Sequence, residues 1–294
     1  MAFKKMTQAE KKAYMAGKEK DCIARLTRGI EELTESEAWE EWLRFQARFH
    51  SYSFSNVMLI LRQCPNATAV GGYKTVWEPL GYRIKKNVRA IAIWGKPWVK
   101  YSEKEGEDGE VKKEISYSRY PILSVYDISQ LEPGPDAKPL TSPAKVIEGA
   151  DHESDLTALV GFANRNGIEV KVGELPGNMG GRIRRDGTEM TLNEDRELNH
   201  RFRTVAHELA HFAIHRSEQG SRETEEMDAE SVAFIVADAR GLDTAGYSTG
   251  YIASWVDGDV KKFVKHMKER GEVIAKAAKW ILSAFDMKGE KGDE

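Results

Sequence analysis

Residues 131–145, LEPGPDAKPLTSPAK, contain four of the chain's 9 prolines. Each proline lacks a backbone N–H and fixes φ, so neither a helix nor a central strand can run through this stretch. At 294 residues, about twice the usual size of one domain, the chain is expected to divide there. The expected parts are a domain over 1–132, a linker over 133–150 and a second domain over 151–294.

The texture on the two sides differs. Polar helices are expected over Thr7 to Thr34 and from Ser36, a plausible N-cap, to about His50, with a short third helix from Ser55 that stops before Pro65. After Gly81 the β-branched and aromatic runs RIKKNVRAIAIWGKPWVKY and YPILSVYDIS read as strands, and EKEGEDGEVKKE between them as a hairpin tip or loop. Beyond the proline stretch come a helix over Glu153 to Asn166, strands in IEVKV, GRIRR and TEMTLN, and a nearly all-helical remainder to Phe285. The fold class is α+β: an N-terminal α+β domain with a small antiparallel sheet, then a mostly helical domain with a short sheet.

Composition excludes some classes. With 40% hydrophobic and 31% charged residues and a formal charge of −3, the chain reads as globular rather than disordered. The N-terminal residues lack the apolar core of a secretory signal and no stretch is apolar enough to span a membrane, so the expected location is cytoplasmic, away from membranes. Cys22 and Cys64 are too few for a disulfide framework and read as free thiols. Nothing in the sequence specifies an oligomeric state.

The segment TVAHELAHFAIH, residues 204–215, carries the clearest chemistry. Positions four apart on a helix differ by about 40° around its axis, so His207 and His211 project together and can share one ion. Glu208 lies beside them, placed to act as general base on a water activated by the metal. With 7 histidines in the chain, chance supplies roughly 0.02 such motifs. Phe202, Val205, Ala206, Leu209 and Ala213 give the helix a stripe to bury, and the strand-like TEMTLN before it is read as an edge strand.

A catalytic zinc takes three protein ligands and leaves one position open. The third is sought on ETEEMDAESVAFIVADAR, a helix over Glu223 to Arg240 stopped by Gly241. Glu226, Ala229, Glu230 and Ala233 share one of its faces, and carboxylates on an apolar face are costly unless paired or bound to a cation. Glu226 is assigned as third ligand and Glu230, one turn on, as the acceptor that orients a ligand histidine; Asp228 competes with Glu226. The cofactor is Zn2+ or another divalent metal. His200, His215 and His266 read as ordinary histidines, and Tyr247 and Tyr251 as packing residues. A metal that merely staples the domain is disfavoured because structural zinc sites use four protein ligands.

HELAH followed by EMDAESVA resembles the ImmA/IrrE-like zincin group, and within it the C-terminal domain of ArdC-type antirestriction proteins. The resemblance extends to YIASW, residues 251–255, and to the long helix through KKFVKHMKERGEVIAKAAKWIL. It implies a zinc metallopeptidase-like domain.

The N-terminal part is basic. From Glu41 to Lys100 ten Lys and Arg face two Asp and Glu, a balance of +8 that leaves −11 elsewhere. Phe49, Tyr52, Phe54, Tyr73, Trp77, Trp94 and Trp98 interleave with these cations, a mixture suited to stacking unpaired bases while following phosphates. A helix-turn-helix or zinc-finger signature for reading a duplex is absent. YSFSN, LILRQCPNATAVGGYKTVW, LGYRIKK and VYDISQ resemble, in that order, the ArdC-type N-terminal domain, whose role is binding single-stranded DNA. The candidate contacts are Arg44, Arg48, Tyr52, Phe54, Asn56, Gln63, Tyr73, Lys74, Trp77, Lys85, Lys86 and Arg89. Where the family commonly has a glycine after the paired lysines, this chain has Asn87, a residue that tolerates a left-handed turn.

Together the two resemblances imply a single-stranded-DNA-binding antirestriction protein of a mobile element or phage. The alternative is a zinc-dependent protease that cleaves a regulatory or DNA-bound protein, with the N-terminal domain used for targeting.

Overall fold

The structure is a computed structural model, and it describes residues 8–32, 36–105, 111–138, 152–177, 179–216, 220–242 and 260–285. The fold is α+β, as expected. Two compact units emerge, and each is discontinuous in sequence: residues 1–29 with 58–141, and residues 30–57 with 142–294. The expected division at 133–150 differs from this in one segment, since 30–57 groups with the C-terminal residues. The expected linker also begins inside structure, because Leu131–Pro133 is a strand. Lys138 N–H donates to the Leu80 carbonyl. Residues 139–150 lie outside the described ones.

In the first unit, helix α1 (Gln8–Glu32) starts the chain, and its residues from Ile30 belong to the other unit. Three short strands, β1 (Val70–Gly72), β3 (Ile91–Trp94) and β6 (Ile122–Asp127), form an antiparallel sheet in the order β1-β6-β3. β2 (Tyr82–Ile84) pairs with β7 (Leu131–Pro133). β4 (Trp98–Glu105) and β5 (Val111–Arg119) form a hairpin, so the charged stretch expected as a tip is mostly ladder. Only residues 106–110 of it lie outside the description.

Polar side chains fix this unit's loops. Buried Asp127 accepts from the amides of Thr68, Ala69 and Ser129. Burial opposes its charge, but these bonds outweigh it and hold the carboxyl below its ordinary pKa. Asn87 adopts φ 63°, the left-handed turn that its residue type permits.

In the second unit, α2 (Ser36–Arg48) buries Trp42, Leu43, Phe45 and Ala47 and packs on α6 (Arg222–Ala239). α3 (Phe54–Gln63) holds the boundary between the units at 57/58. α4 (His152–Arg165) precedes a three-stranded mixed sheet of order β8-β10-β9. β8 (Glu169–Gly173) runs parallel to β10 (Glu189–Asn193), and β9 (Gly181–Ile183) runs antiparallel to it. β10, expected as an edge, is therefore central: its alternate residues Met190 and Leu192 are buried, and β9 is the edge strand.

α5 (Leu198–His215) lies against this sheet and against α4, α6 and α7 (Val260–Leu282). Its buried stripe is Phe202, Val205, Ala206, Leu209, Ala210 and Ile214. Ala213, expected in the stripe, is exposed, because the helical period places 210 and 214 inward. Tyr247 and Tyr251 lie outside the described residues, as does the side chain of His266. Among the described residues no helix is long and apolar enough to cross a membrane.

Candidate metal centre

α5 and α6 pack against each other and bring together the three residues expected to bind metal. His207, His211 and Glu226 each offer one ligand atom, all within 4.8 Å of one another. His207 Nε2 is 3.0 Å from His211 Nε2 and 3.5 Å from Glu226 Oε2. His211 Nε2 lies 3.9 Å from Glu226 Oε1. Ligand atoms about 2.05 Å from a tetrahedral ion stand about 3.3 Å apart, so this set fits a small divalent ion. Its two imidazoles and one carboxylate are donors that zinc and comparable metals accept.

Neighbouring groups hydrogen-bond the two imidazoles. His207 Nδ1 is 3.1 Å from Glu230 Oε1, the role expected of Glu230, and Arg203 holds the other carboxylate oxygen. On the far side of His211 runs a chain absent from the sequence reading. His211 Nδ1 is 3.0 Å from His215 Nδ1, and His215 Nε2 is 3.2 Å from Asp228 Oδ2. Arg270 of α7 donates to the same oxygen through Nε and Nη2, at 2.9 and 2.8 Å.

With His211 Nε2 turned to an ion, one tautomer set satisfies the chain: His211 Nδ1–H donates to His215, and His215 Nε2–H donates to Asp228. Asp228 is thus turned into the core, fully buried, and does not compete for the metal. His215, read as ordinary, links His211 to Asp228. The signal was present, because 207, 211 and 215 continue the same spacing of four.

Glu208 is buried, and its Oε2 accepts from the Ile183 amide at 2.8 Å. Just after β9, Arg184 N–H donates inward to the Glu189 carbonyl, so the Ile183 amide faces the strand's outer edge. A Cβ at Gly181 would stand 2.4 Å from Thr204 Cγ2, so only glycine lets β9 come this close to α5.

Electrostatics follow the geometry. Burial alone would lower the His207 pKa, but the hydrogen bonds it donates to Glu226 and Glu230 push it up to about 10. Burial and the charge on His207 push His211 down to about 4. The bond from His207 holds Glu226 below its ordinary range. Burial raises Glu208, against the pull of His207 and the Ile183 amide.

The nucleic-acid candidates fare differently. Trp77 is buried and its Nε1–H is shared by the Gly71 and Tyr126 carbonyls. Phe54 is buried edge-on against Trp42. Gln63 is spent on Leu59 and both backbone groups of Ala92. These three are therefore structural: an aromatic with no free face cannot stack on a base.

Arg44 is paired with Asp238 and lies over Phe234, Arg48 is exposed beside Phe45, and Tyr52 and Asn56 are half-buried. All four lie in segment 30–57 of the second unit. Lys74, Lys85, Lys86 and Arg89 are exposed in the first unit, Tyr73 is half-exposed there, and Lys85 Nζ donates to the Ser129 carbonyl.

Comparison with known proteins bears on both units. Residues 19–127 match the family described as the N-terminal domain of anti-restriction factor ArdC. Residues 19–127 thus carry an ArdC-type N-terminal domain. An uncharacterized protein of Bacillus anthracis is 26% identical over 253 residues, covering 73% of this chain and 42% of that protein. The chain thus spans about two fifths of that relative.

The crystal structure of antirestriction protein ArdC from plasmid R388, in its Mn(II)-bound form, matches with a TM-score of 0.50 at 17% identity. It covers 90% of this chain and 99% of that one, and shows the fold. The metal-free form of the same protein matches with a TM-score of 0.47 at 19% identity, over 81% and 87% of the two chains.

Proposed function

We propose that this chain is an antirestriction protein that binds single-stranded DNA through its ArdC-type domain and carries a metal-dependent, peptidase-like centre. The observation that carries the second half is the single cluster in which His207, His211 and Glu226 converge, with Glu230 on one ligand and Glu208 alongside. The Mn(II) in the R388 protein supports a divalent ion here; zinc suits the two nitrogens and one carboxylate equally well. The first half is supported by the family match and by the exposed Lys74, Lys85, Lys86 and Arg89.

When bound, the ion supplies Lewis acidity, which brings the pKa of water toward about 7. His207, His211 and Glu226 hold it, and Glu230 and His215 keep the imidazoles turned. Glu208, its pKa raised by burial, takes the proton from a water and returns it to a leaving amine. Its carboxylate is steadied by the Ile183 amide, 2.8 Å away.

The deciding experiment transfers unmodified DNA into a restricting host carrying the unsubstituted chain, Glu208→Gln, or Lys74→Ala/Lys86→Ala/Arg89→Ala. Binding of a labelled single strand of about 30 nucleotides is measured in parallel. Protection should follow single-strand binding and be lost with the triple variant. Failure of the unsubstituted protein to bind single strands would sink the reading. Loss of protection in Glu208→Gln with DNA binding intact would favour the second reading, a protease that acts on a DNA-bound protein.

A further inference from the structure

The cleft in front of the metal-binding cluster has a volume of about 980 Å³ and is ringed by Arg182, Arg184, Arg185, Arg203, Arg216 and Arg222. They come from β9 and its following turn, from α5 and its end, and from the start of α6. The acidic residues lining the cleft are Glu208, Glu225, Glu226 and Glu230, three of which the candidate centre already uses. Arg203 is paired with Glu230 and Arg184 with Asp186. Among the described residues Arg182, Arg185, Arg216 and Arg222 form no ion pair, and Glu225 accepts from the Gly220 amide. A bound divalent ion would add to this positive excess.

Resting on the peptidase reading above, we propose that the cleft selects an extended peptide with acidic side chains flanking the reacting bond. A nucleic acid shares the negative charge but lacks a platform here. The cleft's one Phe, Tyr or Trp among the described residues is Phe212. Its ring is covered by the Arg216 guanidinium at 5.2 Å and stacked with Trp280 at 6.1 Å, so bases have nothing to stack on. An extended peptide, by contrast, meets the outer edge of β9, with Arg182 in that strand and Arg184 next after its end.

The test uses the full chain as Glu208→Gln, loaded with Zn(II), and three labelled 12-residue peptides. These share one apolar pattern and carry Glu, Gln or Lys at alternate positions. Each exposed ion pair changes affinity by about 1.4- to 5-fold, so three pairs predict about tenfold tighter binding of the Glu peptide than of the Gln peptide at 150 mM salt, by anisotropy. Arg182→Ala/Arg185→Ala/Arg222→Ala in the same background should erase that preference while leaving zinc affinity unchanged.

Equal binding of the three peptides, no binding of any, or a preference that survives the triple variant overturns the proposal. A 12-nucleotide oligothymidylate that loses affinity in the triple variant as fully as the Glu peptide does reassigns the cleft to nucleic acid. If the Glu peptide binds with the expected preference but Zn(II)-loaded unsubstituted protein leaves it uncut, the peptidase reading falls and the acidic-peptide cleft stands.

Discussion

Glu226 and Glu230 lie one turn apart on the same helix, yet the geometry gives them different tasks, and removing each should show it. Glu230→Ala deletes the acceptor 3.1 Å from His207 Nδ1 and leaves the three ligand atoms in place. A hydrogen bond to a charged group contributes about 1.5–3 kcal/mol. Because the Glu230 side chain is 13% exposed, solvent takes up some of that loss, and the lower half of the range applies. Zinc affinity should therefore fall about 10- to 50-fold, within the span typical for partners of a ligand histidine.

Glu226→Ala removes a ligand and should cost more than 100-fold. The assay is competition with a chromophoric chelator at pH 7.5, with melting curves to confirm that both variants fold. A Glu230→Ala affinity within twofold of the unsubstituted protein, or a larger loss for Glu230→Ala than for Glu226→Ala, would refute the division of roles.

Four further outcomes are expected. Because the His207 pKa is pushed up to about 10 and that of His211 down to about 4, metal uptake at neutral pH displaces one proton. Affinity should then rise about tenfold per pH unit from 5 to 9, and potentiometry or chelator competition checks the slope. In metal-free protein the raised His207 adds stability fully present below 6.5 and lost as pH rises through about 10, so Tm should fall between pH 7 and 10.

Asp228→Ala strands His215 and Arg270 in the interior; it should cost about 3–5 kcal/mol and lower Tm by roughly 6–20 °C, measured by calorimetry. Lys86→Ala/Arg89→Ala should flatten the salt dependence of single-strand binding by about 1.4 in log–log slope, with the melting temperature unchanged.

The local signals in the sequence carried far where one helix decides the outcome. His207 and His211 needed only helical periodicity, and Glu226 and Glu230 only the cost of carboxylates on an apolar face. What escaped depended on how separate elements meet. His215 acquires its role from Asp228 and Arg270, which come from two other helices. The Ile183 amide reaches Glu208 because glycine lets β9 approach α5. Trp77 and Phe54 are aromatic on either reading, and composition cannot say which aromatics point inward. β10 was misplaced at the edge for the same reason: pairing partners, unlike periodicity, are not written locally. Asn87 is the opposite case, a single residue whose own sterics sufficed.

The grouping of residues 30–57 with 142–294 also bears on biosynthesis. The apolar residues of α2 emerge from the ribosome long before α6, against which they pack. At about 5–20 residues per second the delay is on the order of 9–37 s. Through that interval Trp42, Leu43 and Phe45 lack the α6 surface that covers them, which makes the nascent chain a client for holding chaperones. It also means that severing the chain within the proline stretch would yield two fragments, each missing part of a unit, rather than two domains.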